Sequence, residues 1–291
     1  MVMTVDSHHH FWDTTSGSFE YPWMTGPAAV LAGARGPNEL RPLLERARID
    51  RTVLVQTISS VEETEHFLAI AEDTDFVGGV VGWVDLTSPA TGESIDRLRA
   101  RSDGRWLKGI RHQVHDEDDP EWLLRADVRR GLRAVAEAGL VYDLLVRPRE
   151  LPATLELVAE LPDQRFVVDH IAKPPIASGE LEPWAGHMRR LAQHPGVSVK
   201  VSGMVTEADW AAWSVDDLRP YVDRLLEWFG PARLMFGSDW PVCTLAADYE
   251  AVQAAAAELM AGLSSEEQAA VFGGTAATVY DLAPIAGAEP Q

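Results

Sequence analysis

The sequence predicts a single-domain α/β protein, a (β/α)8 barrel that takes in the whole chain, residues 1–291. Eight short runs rich in β-branched and apolar residues recur between stretches with helical apolar periodicity, a pattern typical of a parallel sheet with crossover helices. The length of 291 residues suits one barrel of about 250 residues with additions. No linker-like, low-complexity or repeated segment divides the chain, and the alternative is a doubly wound open sheet.

The eight predicted strands are spread along the chain. Thr52–Ile58 is apolar on both faces, as expected of a strand covered by the barrel interior on one side and by helices on the other. The predicted strands are Thr4–His8, Thr52–Ile58, Phe76–Val84, Leu107–Arg111, Leu140–Val146, Phe166–Asp169, Val197–Val201 and Leu234–Gly237.

The segments between the strands carry helix signals. Ser60–Glu63 has the spacing of a capping box, in which a serine and a glutamate each accept from the other's backbone N–H. Ser264–Glu267 is predicted to start another helix. Further helices are predicted at Asp127–Gly139, Glu150–Glu160 and Ala246–Leu263. The Gly/Pro-rich Thr25–Pro37 is predicted to be a long loop after the first strand, and loops at that end of a barrel often act as lids.

Composition and charge narrow the classes of function. With 25 Lys+Arg against 45 Asp+Glu, the formal net charge is −20, and no basic stripe offsets it, which argues against a nucleic-acid partner. No run approaches the roughly 18 apolar residues of a membrane span, which argues against a membrane partner. The N-terminus lacks a signal-peptide pattern and Cys243 is the single cysteine, so we expect a cytoplasmic protein. Its partners are then small molecules or protein chains, including further copies of itself in a homo-oligomer.

Two histidines at the end of the first predicted strand are the first candidates for chemistry. Side chains alternate across a strand, so His8 and His10 point to one face while His9 points away. Two imidazoles that converge at the C-terminal end of a barrel strand form half of a divalent-metal site. The alternative is a chance run or a tag remnant, against which the surrounding apolar strand argues.

His170 and Asp239 follow the sixth and eighth predicted strands. Taken singly, such a histidine could be a loop residue and such an aspartate a helix N-cap. In a closed barrel, however, the first and last strands are neighbours, so these side chains would ring one pocket with the histidines of the first strand. We therefore predict one active site made of His8, His10, His170 and Asp239.

This residue set predicts hydrolysis by either of two routes. A divalent ion held by neutral imidazoles lowers the pKa of bound water to about 7, and Asp239 can accept the proton as the water attacks a carbonyl. Without a metal, Asp239 could orient the water while the imidazoles donate hydrogen bonds to the developing oxyanion. The sequence leaves both routes open.

Five motifs, in order along the chain, resemble the amidohydrolase superfamily and, within it, the branch of amidohydrolase-related lactonases. They are Val5–Trp12, Gly109–His112, Val168–Pro174, Lys200–Gly203 and Phe236–Pro241. The C-terminal Gly273–Tyr280 is similar to the closing helix of the family, with Thr275 where many relatives have Asn. The resemblance covers nearly the whole chain.

The resemblance implies a (β/α)8 (TIM) barrel that hydrolyses a lactone. It implies His8, His10, His170 and Asp239 as the catalytic residues and as the ligands of any metal. The bridging lysine usual in the superfamily has no match in Val141–Val146, which argues against a binuclear centre. Two alternatives therefore stand: a site that holds one divalent ion, with zinc favoured, and a site that works without a metal.

Several residues near these motifs are candidates for contacting the substrate. Arg111 and His112 end the fourth predicted strand and would project into the rim, where a guanidinium suits a ring bearing hydroxyls or carboxylates, unless Arg111 forms a structural ion pair. Lys173 could play a similar part. By contrast, His115–Asp119 is predicted to be a solvated acidic loop. The aromatic candidates, which suit sugar rings but more often serve packing, are Trp12, Trp83 and Trp240.

We expect a hydrolase that opens a sugar-acid lactone such as an L-fuconolactone, because the predicted site has only one clear arginine. The first alternative is a lactonase or decarboxylase for an aromatic-derived pyrone carboxylate, which would need several cations in the pocket. The second is a barrel that binds its ligand without turnover. The net charge of −20 favours a neutral substrate over a dicarboxylate.

Overall fold

The computed structural model describes residues 3–283 and has the predicted (β/α)8 architecture. Eight parallel strands follow one another around the barrel in chain order, each paired with the next. Every one of them overlaps a predicted run, so the predicted fold class is confirmed. The strands are β1 Val5–His9, β2 Arg51–Val55, β3 Val77–Gly82, β4 Leu107–His112, β5 Val141–Leu144, β6 Phe166–Val168, β7 Val197–Val201 and β8 Leu234–Phe236.

Backbone contacts close the barrel between its first and last strands. His9 and Trp240 form a parallel bridge, and His10 N donates to Trp240 O at 2.7 Å. Asp239 N donates to His8 O at 2.8 Å. The histidines of β1 are thereby held beside Asp239, as the geometry of a closed barrel predicts.

One α-helix follows each strand, and two short ones come at the end of the residues that the structure describes. None of these helices is long and apolar enough to cross a membrane. The helices are α1 Pro37–Ala47, α2 Val61–Asp73, α3 Thr91–Arg99, α4 Ala126–Glu137, α5 Leu151–Glu160, α6 Trp184–Leu191, α7 Val215–Phe229, α8 Tyr249–Leu259, α9 Ser265–Ala269 and α10 Thr275–Val279.

The start of α2 differs in one respect from the predicted capping box. Ser60 Oγ accepts from Glu63 N at 3.0 Å, as predicted. The Glu63 carboxylate, however, turns into the loop after β2 and accepts from Thr57 N at 2.8 Å and Ile58 N at 3.2 Å. Glu63 therefore stabilises the loop beside the barrel mouth instead of completing the box.

The predicted helix Ala246–Leu263 begins later than expected. Residues 242–245 form a 3-10 turn, and α8 starts at Tyr249 because the Asp248 side chain accepts from Ala251 N at 2.8 Å. The helix start predicted at Ser264–Glu267 is confirmed, since α9 begins at Ser265 behind a complete capping box of Ser264 and Glu267.

The predicted loop Thr25–Pro37 has structure of its own. It contains a 3-10 helix, Gly26–Leu31, and ends in a short antiparallel pairing of Ala34–Arg35 with Trp12–Asp13. Trp12 Nε1 donates to Leu31 O at 3.0 Å. These contacts fasten the segment to the chain that follows β1.

Apolar side chains fill the N-terminal end of the barrel interior. Valines from several strands pack there with Met235 of β8 and with Ala276 and Tyr280 near the end of the described chain. A larger apolar layer lies between the strands and the surrounding helices. The opposite, C-terminal end of the barrel is left for polar side chains, as is general for enzymes of this fold.

Candidate active site

His8, His10, His170 and Asp239 meet at the C-terminal end of the barrel. Their imidazole Nε2 atoms surround one carboxylate oxygen, Asp239 Oδ1, at 3.5 Å for His10, 3.8 Å for His8 and 3.9 Å for His170. His8 Nε2 and His10 Nε2 are 3.1 Å apart, and all four side chains are buried. The structure thus brings together the four residues that the sequence places in one pocket; we refer to them as the His/Asp cluster.

Local structure at the end of β1 sets the directions of its histidines. The pairing of β1 with β2 shifts register between Asp6 and His9, and His9 Nε2 lies 2.8 Å from Thr52 Oγ1, away from the cluster. His10 lies just past the strand, where its Nδ1 is 2.8 Å from Val55 O. A carbonyl only accepts, so Nδ1 carries a proton, and in the tautomer that this bond selects the lone pair lies on Nε2, which faces the cluster.

Residues that follow β7 position the His170 ring. It comes after β6 with a φ of +51°, at the start of a left-handed run that reaches Lys173. Its Nδ1 lies 2.9 Å from Ser202 Oγ. Gly203 has a φ of +59°, and a Cβ there would lie 2.5 Å from His170 Nδ1, so only glycine leaves room for the ring. The end of the Lys200–Gly203 motif therefore positions His170.

Burial determines the charge states in the cluster. It lowers the pKa of His170 to about 4 and the pKa of His8 well below its usual value, so both imidazoles are neutral at neutral pH. Burial by itself raises the pKa of Asp239, but interactions with His170 and His10 outweigh it and hold that pKa below its usual range. The cluster therefore combines the neutral imidazoles of His8 and His170 with one ionised carboxylate.

A buried ion-pair network lies under the cluster, and its centre, Lys200, is not among the residues predicted from the sequence. Lys200 Nζ on β7 lies 2.6 Å from Asp143 Oδ2, 3.0 Å from Asp169 Oδ1 and 3.2 Å from His8 Nδ1. All these side chains are fully buried. A signal was present, since Lys200 stands between two valines of an apolar strand, where a charge needs a buried partner.

Arg111 combines the two roles considered for it. Its Nη1 pairs with Asp169 Oδ2 at 3.0 Å, and its Nη2 donates to the backbone O of Gln56 and, at 3.1 Å, to Gln56 Oε1. Arg111 is only 3% exposed, yet it lines the cavity over the cluster. It is therefore both a structural ion-pair residue and part of the cavity wall.

A cavity of about 180 Å³ opens over the His/Asp cluster. Lys173 lines it and forms an ion pair with Glu207. His115 and Asp116 also line it, so part of the predicted solvated acidic loop faces the site instead. A larger cavity of about 380 Å³ beside Trp12 is lined by none of the cluster residues. The cavity over the cluster is lined by His10, Trp23, Thr57, Arg111, Gln113, His115, Asp116, Leu145, His170, Lys173, Asp239 and Val242.

His112 and Trp83, both predicted to contact substrate, lie outside this cavity. His112 follows Arg111 directly on β4 and so points to the opposite face, where it stacks on Trp122 with ring centroids 4.2 Å apart. Trp83 Nε1 donates to His112 Nδ1 at 3.0 Å. These residues therefore form an aromatic cluster behind the strand.

Trp12 and Trp240 also lie outside the lining of the 180 Å³ cavity. Trp12 donates to Leu31 O and packs edge-on against Trp23, with ring centroids 5.4 Å apart. Trp240 is 4% exposed and packs against Phe11. Both side chains serve packing, and of the six predicted substrate contacts only Arg111 and Lys173 line the cavity.

The His/Asp cluster has the chemistry of a divalent-metal site. One ligand atom each from His8, His170 and Asp239 lie within 4.8 Å of one another, and His10 Nε2 adjoins them. Neutral imidazoles and an ionised carboxylate are the forms that bind metal. Tetrahedral zinc ligands stand roughly 3.3 Å apart, which is near the 3.1 to 3.9 Å separations described above. The residues therefore fit one divalent ion.

Comparison with known proteins gives matches along nearly the whole chain. A family model described as Amidohydrolase matches residues 5–282. An L-fucono-1,5-lactonase of Burkholderia ambifaria is 40% identical over 288 residues, with 97% of each chain covered. An L-fucono-1,5-lactonase of Burkholderia multivorans is 39% identical over 293 residues, again with 97% of each chain covered.

A solved structure shows the same architecture. The crystal structure of an amidohydrolase from Burkholderia multivorans with bound zinc has a TM-score of 0.91 and is 37% identical in sequence. The match covers 97% of this chain and 100% of that one. The similarity therefore extends over the complete barrel and is not restricted to the motifs around the cluster.

Proposed function

Because this chain belongs to the amidohydrolase family, we propose that it is a hydrolase that opens a sugar-acid lactone of the L-fucono-1,5-lactone type. The observation that carries the proposal is the convergence of three histidine Nε2 atoms on Asp239 Oδ1 at the floor of a small cavity. Two relatives named L-fucono-1,5-lactonase, each covered over 97% of its length, support the substrate class.

Asp239 is the proposed general base. Its carboxylate is ionised at neutral pH and borders the cavity, so it can accept a proton from a water that attacks the ester carbonyl carbon. The water oxygen bonds to that carbon as Asp239 takes the proton. Asp239 then returns the proton to the ring oxygen as the ring C–O bond breaks, which gives an open-chain hydroxy acid.

Arg111 is the proposed partner of the carbonyl oxygen. Its Nε has no hydrogen-bond partner among the described residues, although its other nitrogens are held by Asp169 and Gln56. A fixed cationic donor stabilises the negative charge that develops on the carbonyl oxygen as the water adds. The anchoring contacts mean that little reorganisation is needed when that charge forms.

We propose that His8, His10, His170 and Asp239 hold one divalent ion, with zinc as the first choice. His10 is suited to this because its Nδ1 proton faces Val55 O, which leaves a lone pair at Nε2. When bound, such an ion supplies Lewis-acid polarisation of the carbonyl and lowers the pKa of nearby water. The alternative is a metal-independent route in which Asp239 alone activates the water.

The charges around the cavity favour a neutral lactone over a pyrone carboxylate. Both cations in its lining already have carboxylate partners, Arg111 in Asp169 and Lys173 in Glu207. Asp116 and Asp239 add negative charge to the same wall. A dicarboxylate would need cations that are not already neutralised, whereas a neutral ring needs only hydrogen bonds.

The test is hydrolysis of a panel of lactones by the wild-type protein and by Asp239→Asn, followed by the release of acid and corrected for spontaneous hydrolysis. We expect the wild type to open L-fucono-1,5-lactone and Asp239→Asn to lose about 10²–10⁴-fold in kcat. Asp163→Asn, at an exposed aspartate, is the matched control. Equal rates for the wild type and Asp239→Asn would contradict the role of Asp239. Turnover of a pyrone dicarboxylate alone, or binding of lactones without turnover, would overturn the proposed function.

A further inference from the structure

Three buried nitrogen atoms on side chains that line the 180 Å³ cavity have no hydrogen-bond partner among residues 3–283. They belong to Trp23 (Nε1), His115 (Nδ1) and Arg111 (Nε). Native proteins leave few buried polar atoms unpaired, because such an atom has lost its hydrogen bonds to water and the loss costs free energy. Three such atoms around one small cavity beside Asp239 indicate a ligand that completes their hydrogen bonds.

His115 presents an acceptor to this cavity. Its Nε2 lies 3.2 Å from Asp116 Oδ1, and a carboxylate beside Nε2 favours the tautomer that carries the proton there. Burial lowers the pKa of His115 to about 2, and the ring is therefore neutral at any pH at which the enzyme would work. Nδ1 is left with a lone pair and needs a donor.

Trp23 presents a donor, since an indole Nε1–H cannot accept. The residue lies in the segment between the first strand and the 3-10 helix Gly26–Leu31, and its ring is held edge-on against Trp12. It also lines a neighbouring outer cleft of about 440 Å³. Trp23 therefore lies between the inner cavity and the outer cleft.

We propose that Trp23 and His115 recognise the ring hydroxyl groups of the lactone, while Arg111 Nε serves its carbonyl oxygen. A hydroxyl group both donates and accepts, so hydroxyls on one ring can bond both the donor of Trp23 and the acceptor of His115. A carboxylate could not hydrogen-bond to His115 Nδ1, because a carboxylate has no proton to donate. This inference rests on the proposed function and adds the means of substrate selection: the cavity selects polyhydroxylated rings.

The experiment compares two lactones with the same six-membered ring, L-fucono-1,5-lactone and the hydroxyl-free δ-valerolactone. Trp23→Phe and His115→Phe each remove one hydrogen-bonding atom and keep an aromatic ring. We expect each variant to lower the ratio of kcat/KM for the hydroxylated lactone to that for δ-valerolactone by about three- to tenfold, chiefly through KM. Trp210→Phe is the control, since Trp210 is 39% exposed and its Nε1 donates to Thr206 O; its ratio should equal that of the wild type.

The outcomes separate this inference from the proposed function. A wild type that hydrolyses neither lactone overturns both. If the wild type is active on the fuconolactone and both variants keep the wild-type ratio of the two kcat/KM values within twofold, the inference alone is overturned. Because Trp23 and His115 lie on different loops, a folding defect in one variant, detected by thermal unfolding, leaves the other to decide the result.

Discussion

Lys200 Nζ lies 2.6 Å from Asp143 Oδ2, and both side chains are fully buried under His8. Tyr280 extends this pair toward the N-terminal end of the barrel, because its hydroxyl donates to Asp143 Oδ2 at 2.8 Å. On the other side, Lys200 reaches Asp169 at 3.0 Å. The apolar end of the barrel and the His/Asp cluster are thus joined by one line of buried polar contacts.

The first prediction concerns this network. Lys200→Met leaves two carboxylates buried without their shared cation, and removing one partner of a buried ion pair typically costs about 3–5 kcal/mol. We expect a loss of this size in the free energy of unfolding, measured by urea denaturation. The double variant Lys200→Met/Asp143→Asn should lose less, because Asp169 keeps Arg111 at 3.0 Å. An unchanged urea midpoint for Lys200→Met would contradict the stabilising role of the network.

The second prediction concerns Gly203. Gly203→Ala places a Cβ 2.5 Å from His170 Nδ1, so the imidazole must move from Asp239. We expect kcat/KM for lactone hydrolysis to fall at least about tenfold, since small displacements of catalytic groups can cost as much as a hundredfold. Gly139→Ala is the control, because Gly139 has a similar φ of +69° but open space at the Cβ position. Similar kinetics for the two variants would show that His170 does not depend on Gly203.

Alternation along a strand explains which site residues could be predicted from the sequence. It places His8 and His10 on one side of β1, and barrel closure brings Asp239 beside them. The same rule, applied to Arg111 and His112, would have assigned them to opposite faces, as the structure shows. Although His112 ends the strand beside Arg111, it therefore points away from the rim, because neighbouring residues of a strand point to opposite faces.

Local sequence patterns do not predict the positions of residues that are set by long-range packing. Trp23 reaches the cavity only because Trp12 and the 3-10 helix Gly26–Leu31 fix the path of an irregular segment. Lys200 contacts residues on other strands, and no spacing in the chain marks those partners. Regular periodicity predicts strands and helices, whereas the partners of a buried charge follow from the closed barrel.

The third prediction concerns pH. Burial raises the pKa of Glu63 from 4.5 to about 7. A carboxyl group with a raised pKa in the folded state stabilises the fold below its unfolded pKa, and that stability is lost as the pH rises through the folded pKa. Between about pH 5 and pH 8, the wild type should therefore lose up to about 3 kcal/mol of unfolding free energy relative to Glu63→Gln. Glu62→Gln, at the neighbouring exposed position, should show the same pH dependence of the unfolding free energy as the wild type. Parallel pH curves for the wild type and Glu63→Gln would contradict the shifted pKa.

The fourth prediction concerns metal binding at the His/Asp cluster. We expect equilibrium dialysis against zinc to load about one ion per chain, because neutral imidazoles and one ionised carboxylate converge there. His10→Ala should weaken zinc binding by more than the 10–100-fold that is typical of losing an outer-shell partner. Zinc should also raise the unfolding temperature of the wild type, since a ligand that binds the folded state stabilises it.

His9→Gln separates ligation from the general effect of losing a histidine. His9 neighbours His10 in the chain, but its Nε2 lies 2.8 Å from Thr52 Oγ1 on the other face of β1, so the substitution should leave zinc binding unchanged. Equal weakening in His9→Gln and His10→Ala would mean that the end of β1, and not a ligand, was disturbed. If the wild type binds no zinc and hydrolyses the lactone equally well with a chelator, Asp239 activates the water without a metal, and the lone pair of His10 Nε2 then serves as a hydrogen-bond acceptor.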